Sequence, residues 1–355
     1  MYKYDQIYHS LCEQITQILD HHGTALPTEE RLCRTYQISR QTLRKALSRL
    51  ENEHVLISRQ GSSHALTGLY PGRTNQIVLM VHYSDVYLTP QRISRITGFF
   101  AGLHYQVLVM PTGASRKAEG DILEKLVSTP PRGLFVESIS NALPTPYVHL
   151  YQRLQRAGTA IVFLGERYPN LFSGYTAMTD DPQGAYEMTE YLIGQGHHSI
   201  GTLLLADDQS SHGKYLGFAQ AMHTHRIPLP DVQVQWITLP QLEEIRQDRS
   251  LSMLRRILEG YPQQLTALLC QNDELAFLVI RALRMIASRD HSICVTGFDN
   301  SYLHETGTIH FPTMETPSLS LYACEQMLRC LRNLPPLADK LPWKRIGAGQ
   351  SAGSL

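Results

Sequence analysis

The first 66 residues carry a pattern of apolar and polar positions that predicts three helices and a short hairpin. Apolar residues recur at helical spacing over 4–18, and a polar break follows. Thr28 and Ser39 are favourable N-cap residues, so a second helix is predicted from Thr28 and a third from Ser39. Segment 54–66, HVLISRQGSSHAL, predicts two short strands joined by a glycine-containing turn. Together these elements predict a winged helix-turn-helix.

From residue 76 onward, short apolar runs alternate with segments of helical period. This alternation predicts an α/β fold with parallel sheets, whose strands are buried on both faces. A loop at 168–175 separates the runs into two sets, so we expect two subdomains with a cleft between them. The predicted strands are QIVLMV, YQVLVM, RGLFVE, TAIVFLG, SIGTLLL, VQVQWI, TALLC and ICVTGF. Helical segments are predicted between them, for example at 91–103, 116–128, 182–194, 213–225 and 272–288.

These two patterns divide the chain into three parts. Residues 1–66 form the predicted winged helix-turn-helix, and 67–75 form a linker rich in turn-forming residues. Residues 76–355 form the predicted two-subdomain α/β region.

Composition narrows the class of protein without identifying it. The 355 residues are 43% hydrophobic and 18% charged, with 32 basic and 32 acidic side chains. No apolar run approaches the roughly 18 residues that a transmembrane helix needs, and the polar N-terminus does not resemble a signal peptide. The six cysteines include no CxxC pair, which favours reduced thiols over disulfides or a metal site. We therefore expect a cytoplasmic protein that has no membrane partner, metal or cofactor.

Positive charge is concentrated in one segment of this neutral chain, most of it in the third predicted helix. Between residues 31 and 50 there are six basic residues and no acidic one. The alternative interpretation is a solvated cationic face, but the caps and the hairpin favour a recognition helix that enters the major groove of DNA. Four side chains in its first turns are predicted to reach base edges, namely Arg40, Gln41, Thr42 and Arg44. Lys45 and Arg49 are predicted to contact phosphates.

Segment 26–66, LPTEERLCRTYQISRQTLRKALSRLENEHVLISRQGSSHAL, resembles the DNA-binding domain of the GntR family. The motifs LPTE, SRQTLRKAL and RQG occur in that family's order and spacing. The resemblance implies that Arg40 and Arg44 contact DNA with support from Thr42, and that Gln60 and Gly61 enter the minor groove. The rest of the predicted DNA-binding set is Lys3, Glu30 and Arg31.

Polar residues follow the predicted strands of the large region, where ligands of parallel α/β sheets bind. Carboxylates and amides beside tyrosines suit a polyhydroxyl ligand, because each sugar hydroxyl both donates and accepts hydrogen bonds. The alternative is that such residues only cap the helices that follow them. The predicted effector-binding residues at these strand ends are Tyr83, Ser84, Asp85, Glu137, Glu166, Asn272 and Asp299.

Three motifs in the large region resemble the effector-binding domain of the LacI family: DDPQGAYEMTEYLIGQGHHSIGTLLL, LLCQNDELAFLVIRAL and ICVTGFDNS. The resemblance implies a periplasmic-binding-protein-like fold in which Asn272 and Asp299 bind the effector, with Ser84 and Glu166 in contact range. Lys214 is predicted to contribute where that family commonly places an arginine. The joining of the two families implies a small sugar as effector, with L-arabinose as the leading candidate, and a homodimer that binds a pseudo-palindromic operator.

These observations predict a transcriptional regulator of carbohydrate genes that acts as a repressor and is not an enzyme. The chain has no GxxxxGK[ST] loop, no HExxH motif and no GxSxG elbow. Two alternatives stay open on the sequence alone. One keeps DNA binding but has a non-sugar effector such as a nucleobase or a phosphosugar. The other is a cleft enzyme or storage protein that uses the first domain for targeting to DNA.

Overall fold

The computed structural model of the protein describes residues 3–21, 23–53, 55–58, 64–68, 71, 75–172, 174–286, 293–306, 309–338 and 340–346. The α-helices within these residues are α1 (Lys3–Asp20), α2 (Glu29–Tyr36), α3 (Arg40–Asn52), α4 (Thr89–Ala101), α5 (Arg116–Ser128), α6 (Val148–Arg156), α7 (Asp181–Gly194), α8 (Gln209–Thr224), α9 (Leu239–Gln247), α10 (Ser252–Glu259), α11 (Asp273–Leu283) and α12 (Leu319–Leu331). The strands are β1 (Leu56–Ser58), β2 (His64–Leu66), β3 (Gln76–Val81), β4 (Gln106–Pro111), β5 (Gly133–Val136), β6 (Ala160–Leu164), β7 (Thr176–Ala177), β8 (Ile200–Leu205), β9 (Val234–Ile237), β10 (Ala267–Cys270), β11 (Cys294–Thr296), β12 (Glu305–Thr306), β13 (Ile309–His310), β14 (Thr313–Glu315) and β15 (Lys344–Ile346).

The N-terminal helices form a small bundle followed by an antiparallel hairpin. Leu11 and Ile15 of α1 are fully buried with Leu43 and Leu50 of α3, so the apolar stripes of the helices face one another. Helices α2 and α3 begin at side-chain caps, as the sequence predicted. Strands β1 and β2 pair antiparallel, which completes the predicted winged helix-turn-helix. The tip of the hairpin lies outside the described residues.

The first lobe of the large region is built on a five-stranded parallel sheet in the order β4-β3-β5-β6-β7. Alternate residues of the central strand β3 enter different cores. Leu79 packs in a cluster with Phe100 of α4 and Met327 of α12, whereas Met80 packs in a cluster with Leu123 of α5 and with α6 residues. Burial on both faces explains why this strand reads as a continuous apolar run.

The second lobe is built on a four-stranded parallel sheet in the order β11-β10-β8-β9. Leu268 of β10 belongs to a core shared with α9, α10 and α11. Its neighbour Leu269 faces a core that contains Met188 of α7 and Trp343. Helices α7 and α8 meet at backbone contact, because a Cβ on Gly217 would lie 1.9 Å from the carbonyl oxygen of Pro182. The predicted fold class is confirmed, and each of the eight predicted strands is present.

Three connections cross between the lobes, and they position the cleft. The chain passes from β7 into α7, returns from β14 to α12, and crosses again to β15. Helix α12 packs on β6 and α4 and therefore belongs to the first lobe, while β15 pairs with β14 of the second lobe. Two of the crossing segments run side by side, since the Leu341 amide donates to the Met178 carbonyl at 2.9 Å.

Candidate DNA-binding face and inter-lobe cavity

The predicted recognition helix α3 presents its polar side chains to solvent. Arg40, Gln41, Arg44 and Lys45 are exposed and line one shallow groove on the surface of α1 and α3. The helix start is fixed by Ser39, whose hydroxyl accepts from the Thr42 amide at 3.2 Å and contacts the Thr42 hydroxyl at 2.9 Å. These contacts hold the first turn in place, so the arginines project from a rigid frame.

Two arginines of α3 form ion pairs, one with Glu29 of α2 and one with Glu53 at the end of α3 itself. Arg44 Nε lies 3.2 Å from Glu29 Oε2 and leaves 68% of its side chain exposed. Arg49 donates to Glu53 at 3.1 Å, and its guanidinium carbon lies 3.8 Å from the centre of the Tyr8 ring. Arg49 thus joins α3 to α1 as well as facing the groove. This role of Arg49 in joining α3 to α1 was not predicted from the sequence.

The remaining predicted DNA-binding residues surround this face or lie outside the described part of the chain. Arg31 and Glu30 are exposed on α2, and Glu30 pairs with Arg34 at 2.6 Å. Lys3 begins α1, but its side chain is not among those described. Gln60 and Gly61 lie outside the described residues, so their contact with a minor groove stays a prediction.

A cavity of about 220 Å³ lies between the two lobes at the carboxyl ends of their strands. Its volume is below the range of about 300–1,000 Å³ that is usual for sites of drug-sized ligands, so the cavity suits only a small molecule. The first lobe contributes His82, Tyr83, Val86, Tyr87, Leu88, Thr89, Arg92, Glu137, Ser138 and Ser140. The second lobe contributes Leu205, Asp207, Asp208, Leu239, Leu242, Arg246, Gln271, Asn272 and Asp299.

On the first lobe, an ion pair organises the wall of the cavity. Arg92 Nη1 of α4 donates to Glu137 Oε1 at 2.8 Å, and the His82 amide donates to Glu137 Oε2 at 2.8 Å. Burial alone would raise the pKa of the Glu137 carboxyl, but His82 and Arg92 outweigh it and lower the pKa below its ordinary value. Glu137 therefore presents a negative charge.

On the second lobe, amide and carboxylate side chains face the cavity from strand ends. Asn272 caps α11 by accepting from the Leu275 amide at 3.0 Å. Asp299 has a φ of 100°, a left-handed conformation that is rare for residues other than glycine. Burial raises the pKa of Asp299, against the opposite effect of the nearby Lys214. Strain at a cavity wall is typical of functional positions.

Hydrogen bonds join the lobes across the cavity. The Tyr87 hydroxyl donates to Asp299 Oδ2 at 2.9 Å, and the Ser140 hydroxyl donates to Asp207 Oδ2 at 2.7 Å. The Gln209 amide at the start of α8 donates to Asn141 Oδ1 at 2.7 Å. The lobes are therefore coupled by polar groups that a bound ligand can also contact.

The structure brings four of the eight predicted effector-binding residues into the cavity wall: Tyr83, Glu137, Asn272 and Asp299. Ser84 and Asp85 are exposed and do not line the cavity, because the segment after β3 turns them towards solvent. Glu166 also lies outside the wall, and burial raises the pKa of its carboxyl. The effector-binding roles of Ser84, Asp85 and Glu166 stay predictions, since none of the three lines the cavity.

Lys214 is also absent from the cavity wall, since it is buried between α7 and α8. Its ammonium group lies 3.3 Å from Asp181 Oδ1 and donates to the Ser210 hydroxyl at 2.7 Å. It also lies 4.8 Å from the centre of the Phe298 ring. The sequence predicted a residue that contacts the effector, whereas the structure gives Lys214 a buried ion pair behind the wall.

Several cavity residues were not predicted as effector-binding, among them Arg92, Tyr87 and Arg246. Arg92 and Arg246 lie inside helices, where no strand-end position marks them. Tyr87 follows the first predicted strand of the large region closely, and that position was the signal that could have identified it.

Ser138→Ala is expected to weaken binding of a cavity ligand about 2- to 13-fold without destabilising the fold. The Ser138 side chain is 5% exposed and lines the cavity, and its hydroxyl has no hydrogen-bond partner among the described residues. A neutral hydrogen bond to a ligand contributes about 0.5–1.5 kcal/mol. Calorimetric titration and thermal unfolding of the variant measure the two effects. A loss of stability with unchanged affinity would contradict the assignment.

The described residues contain no helix long and apolar enough to cross a membrane. Within the same part of the chain, no cluster of three or more His, Cys, Asp or Glu side chains could hold a metal ion.

The two-part architecture and its polar cavity define a class: a DNA-binding domain joined to a ligand-sensing domain. The sequence pattern of the bacterial regulatory proteins of the gntR family matches residues 3–65, and that of the periplasmic binding protein-like domain matches residues 189–335. The chain thus combines a GntR DNA-binding domain with a periplasmic-binding-protein-like domain. It is a DNA-binding transcriptional regulator and not an enzyme, as the sequence predicted.

Named relatives share nearly the whole architecture. The chain is 26% identical over 324 residues to the arabinose metabolism transcriptional repressor of Halalkalibacterium halodurans, covering 87% of this chain and 85% of the relative. It is 26% identical over 323 residues to the protein of the same name from Geobacillus stearothermophilus, covering 88% and 87%.

Solved structures share the fold at lower identity. A periplasmic binding protein/LacI transcriptional regulator from Alkaliphilus metalliredigens, complexed with D-xylulofuranose, superposes with a TM-score of 0.62 at 18% identity, covering 79% of this chain and all of that one. The regulator CelR in complex with cellobiose superposes with a TM-score of 0.65 at 16% identity, covering 92% of this chain and all of that one.

Proposed function

We propose that this protein represses genes of sugar utilisation and is released from DNA by a small neutral sugar, with L-arabinose the leading candidate. The observation that carries the proposal is the cavity between the lobes, where Glu137, Asn272 and Asp299 converge from strand ends. Carboxylates and amides in one small cavity match the alternating donors and acceptors of a sugar. The names of the two relatives, both arabinose metabolism repressors, support the choice of effector.

The proposal assigns DNA binding to the exposed face of α3. Arg40, Gln41 and Arg44 read bases there, and Lys45 neutralises phosphate. Residues 1–66 form the DNA-binding domain, 67–75 the linker, and 76–355 the sensing and dimerising region. A cytoplasmic homodimer then presents two copies of α3 to a pseudo-palindromic operator.

Sugar binding would change the balance between two arrangements of the dimer. The hydrogen bonds from Tyr87 to Asp299 and from Ser140 to Asp207 link the lobes at the cavity, so a ligand there favours one lobe arrangement over another. A tenfold change in operator occupancy requires a bias of only about 1.4 kcal/mol, within ordinary coupling energies.

A thermal-shift screen followed by DNA release tests this function. L-arabinose is expected to raise the unfolding temperature, because a ligand that binds only the folded state stabilises it in proportion to the logarithm of its concentration. The same sugar should release the protein from a DNA duplex selected by the protein from a random library. Stabilisation by purines or phosphosugars but not by neutral sugars would replace this effector class with another.

A further inference from the structure

Arg246, on α9 of the second lobe, lines the cavity but is fixed by two carboxylates. Its Nε and Nη2 donate to Glu274 Oε1 and Oε2 at 2.8 and 2.5 Å. Its Nη1 donates to Glu243 Oε1. Tyr83 of the first lobe faces this cluster, with its ring centre 6.0 Å from the guanidinium carbon. One cation and two anions therefore form the cluster Glu243–Arg246–Glu274, which we call the acidic clamp.

The charges around the cavity add to a negative environment. Arg92 is neutralised by Glu137, and Arg246 is more than neutralised within the acidic clamp. Three further carboxylates line the cavity, namely Asp207, Asp208 and Asp299. Because carboxylates predominate in its wall, the cavity has a negative electrostatic potential. The low dielectric constant of the protein interior strengthens this potential.

Arg246 would be a strong site for a carboxylate if its partners were absent, because its fork can bind two oxygens at once. Glu274 already occupies that fork in a bidentate pair. A ligand carboxylate would have to displace Glu274 and would also lie beside Glu243. A neutral hydroxyl meets no such barrier, since it can accept from an arginine N–H and donate to a carboxylate.

We propose that the acidic clamp is a specificity determinant that excludes negatively charged sugars, such as sugar acids, from the cavity. This inference rests on the proposed function that the cavity binds a sugar. Within the clamp, Glu274 accepts hydrogen bonds from the Arg246 donors that would otherwise bind a ligand carboxylate. It admits neutral sugars and rejects the same ring when it carries a carboxylate.

The test compares two probes that differ in charge. L-Arabinose is neutral, and D-galacturonate is the same pyranose ring with an added carboxylate. In the full-length wild-type protein, calorimetric titration should give galacturonate an affinity at least about 100-fold weaker than that of arabinose. Glu243→Gln should strengthen galacturonate binding by about tenfold. The ratio of its galacturonate affinity to its arabinose affinity should rise by about the same factor, because only galacturonate carries a charge.

Glu244→Gln is the matched control, because Glu244 is the exposed neighbour on the same helix. This variant should leave both affinities unchanged. Glu274→Gln is the second test variant, and operator binding together with thermal unfolding shows whether each variant is folded. The inference is overturned if neither Glu243→Gln nor Glu274→Gln binds galacturonate more tightly than the wild type does. Tight galacturonate binding by the wild type also overturns it. Absence of arabinose binding in the wild type would instead overturn L-arabinose as the effector in the proposed function, and the galacturonate gain still decides the role of the clamp.

Discussion

Arg40→Ala is expected to reduce operator affinity by about 30-fold to 10⁴-fold while leaving sugar affinity and stability unchanged. Arg40 is exposed in the first turn of α3, and it makes no ion pair or side-chain hydrogen bond with the described residues, so its removal leaves the fold intact. A good bidentate contact between arginine and guanine contributes about 1–3 kcal/mol. A dimer loses this contact twice, which amounts to about 2–6 kcal/mol.

Fluorescence anisotropy with the selected duplex measures this loss at a fixed salt concentration, because phosphate contacts make affinity depend on salt. Arg153→Ala is the control, since Arg153 is exposed on α6 of the first lobe. It removes the same charge without altering α3. An operator affinity of Arg40→Ala within about threefold of the wild-type value would refute the assignment of α3 as the recognition helix.

Asp299→Asn is expected to weaken sugar binding by about 10- to 150-fold and to leave operator binding intact. A hydrogen bond between a charged carboxylate and a ligand hydroxyl is worth about 1.5–3 kcal/mol. Asparagine suits the test because it tolerates the left-handed backbone of Asp299. The variant should therefore fold and bind the operator, but should not be released by sugar at concentrations that release the wild type.

Calorimetric titration gives the sugar affinity of this variant, and sugar-dependent release from the duplex gives its inducibility. Asp231→Asn provides the control, because Asp231 is exposed in the second lobe and does not line the cavity. Normal release of Asp299→Asn by sugar would remove Asp299 from the proposed site.

Eight of the nine strands in the two parallel sheets were predicted, because burial on two faces leaves a continuous apolar run in the sequence. The exception is β7, which spans only two residues. The run of β6, AIVFL, has no polar position to interrupt it. The short helices α6, α9 and α10 were not predicted, since each spans only eight or nine residues and too few turns establish a period. Helix α12 was also missed, and small or sulfur-containing residues such as Ala323, Cys324 and Met327 form much of its buried side.

Of the residues that line the cavity, only those at strand ends could be predicted from the sequence. Asn272 and Asp299 follow strands directly, so their convergence follows from the sheet topology. Arg246 reaches the cavity from within a helix, and its direction is set by Glu274 on another element. Lys214 is withdrawn from the wall because Gly217 lets α8 approach α7 closely, which brings Lys214 to Asp181. Such contacts between distant segments leave no local sequence signal.

The return of α12 to the first lobe has a consequence for how the gene tolerates damage and rearrangement. The amide of Gln326 donates to the Thr176 carbonyl at 2.9 Å, and Met327 packs on Gly133 so closely that a Cβ there would lie 2.8 Å from its sulfur. A premature stop codon before α12 would thus remove part of the core of the first lobe, although the first strand of that lobe would already have been translated. Neither lobe is encoded by one continuous stretch of the gene, so neither can be exchanged between regulators by a single fusion point.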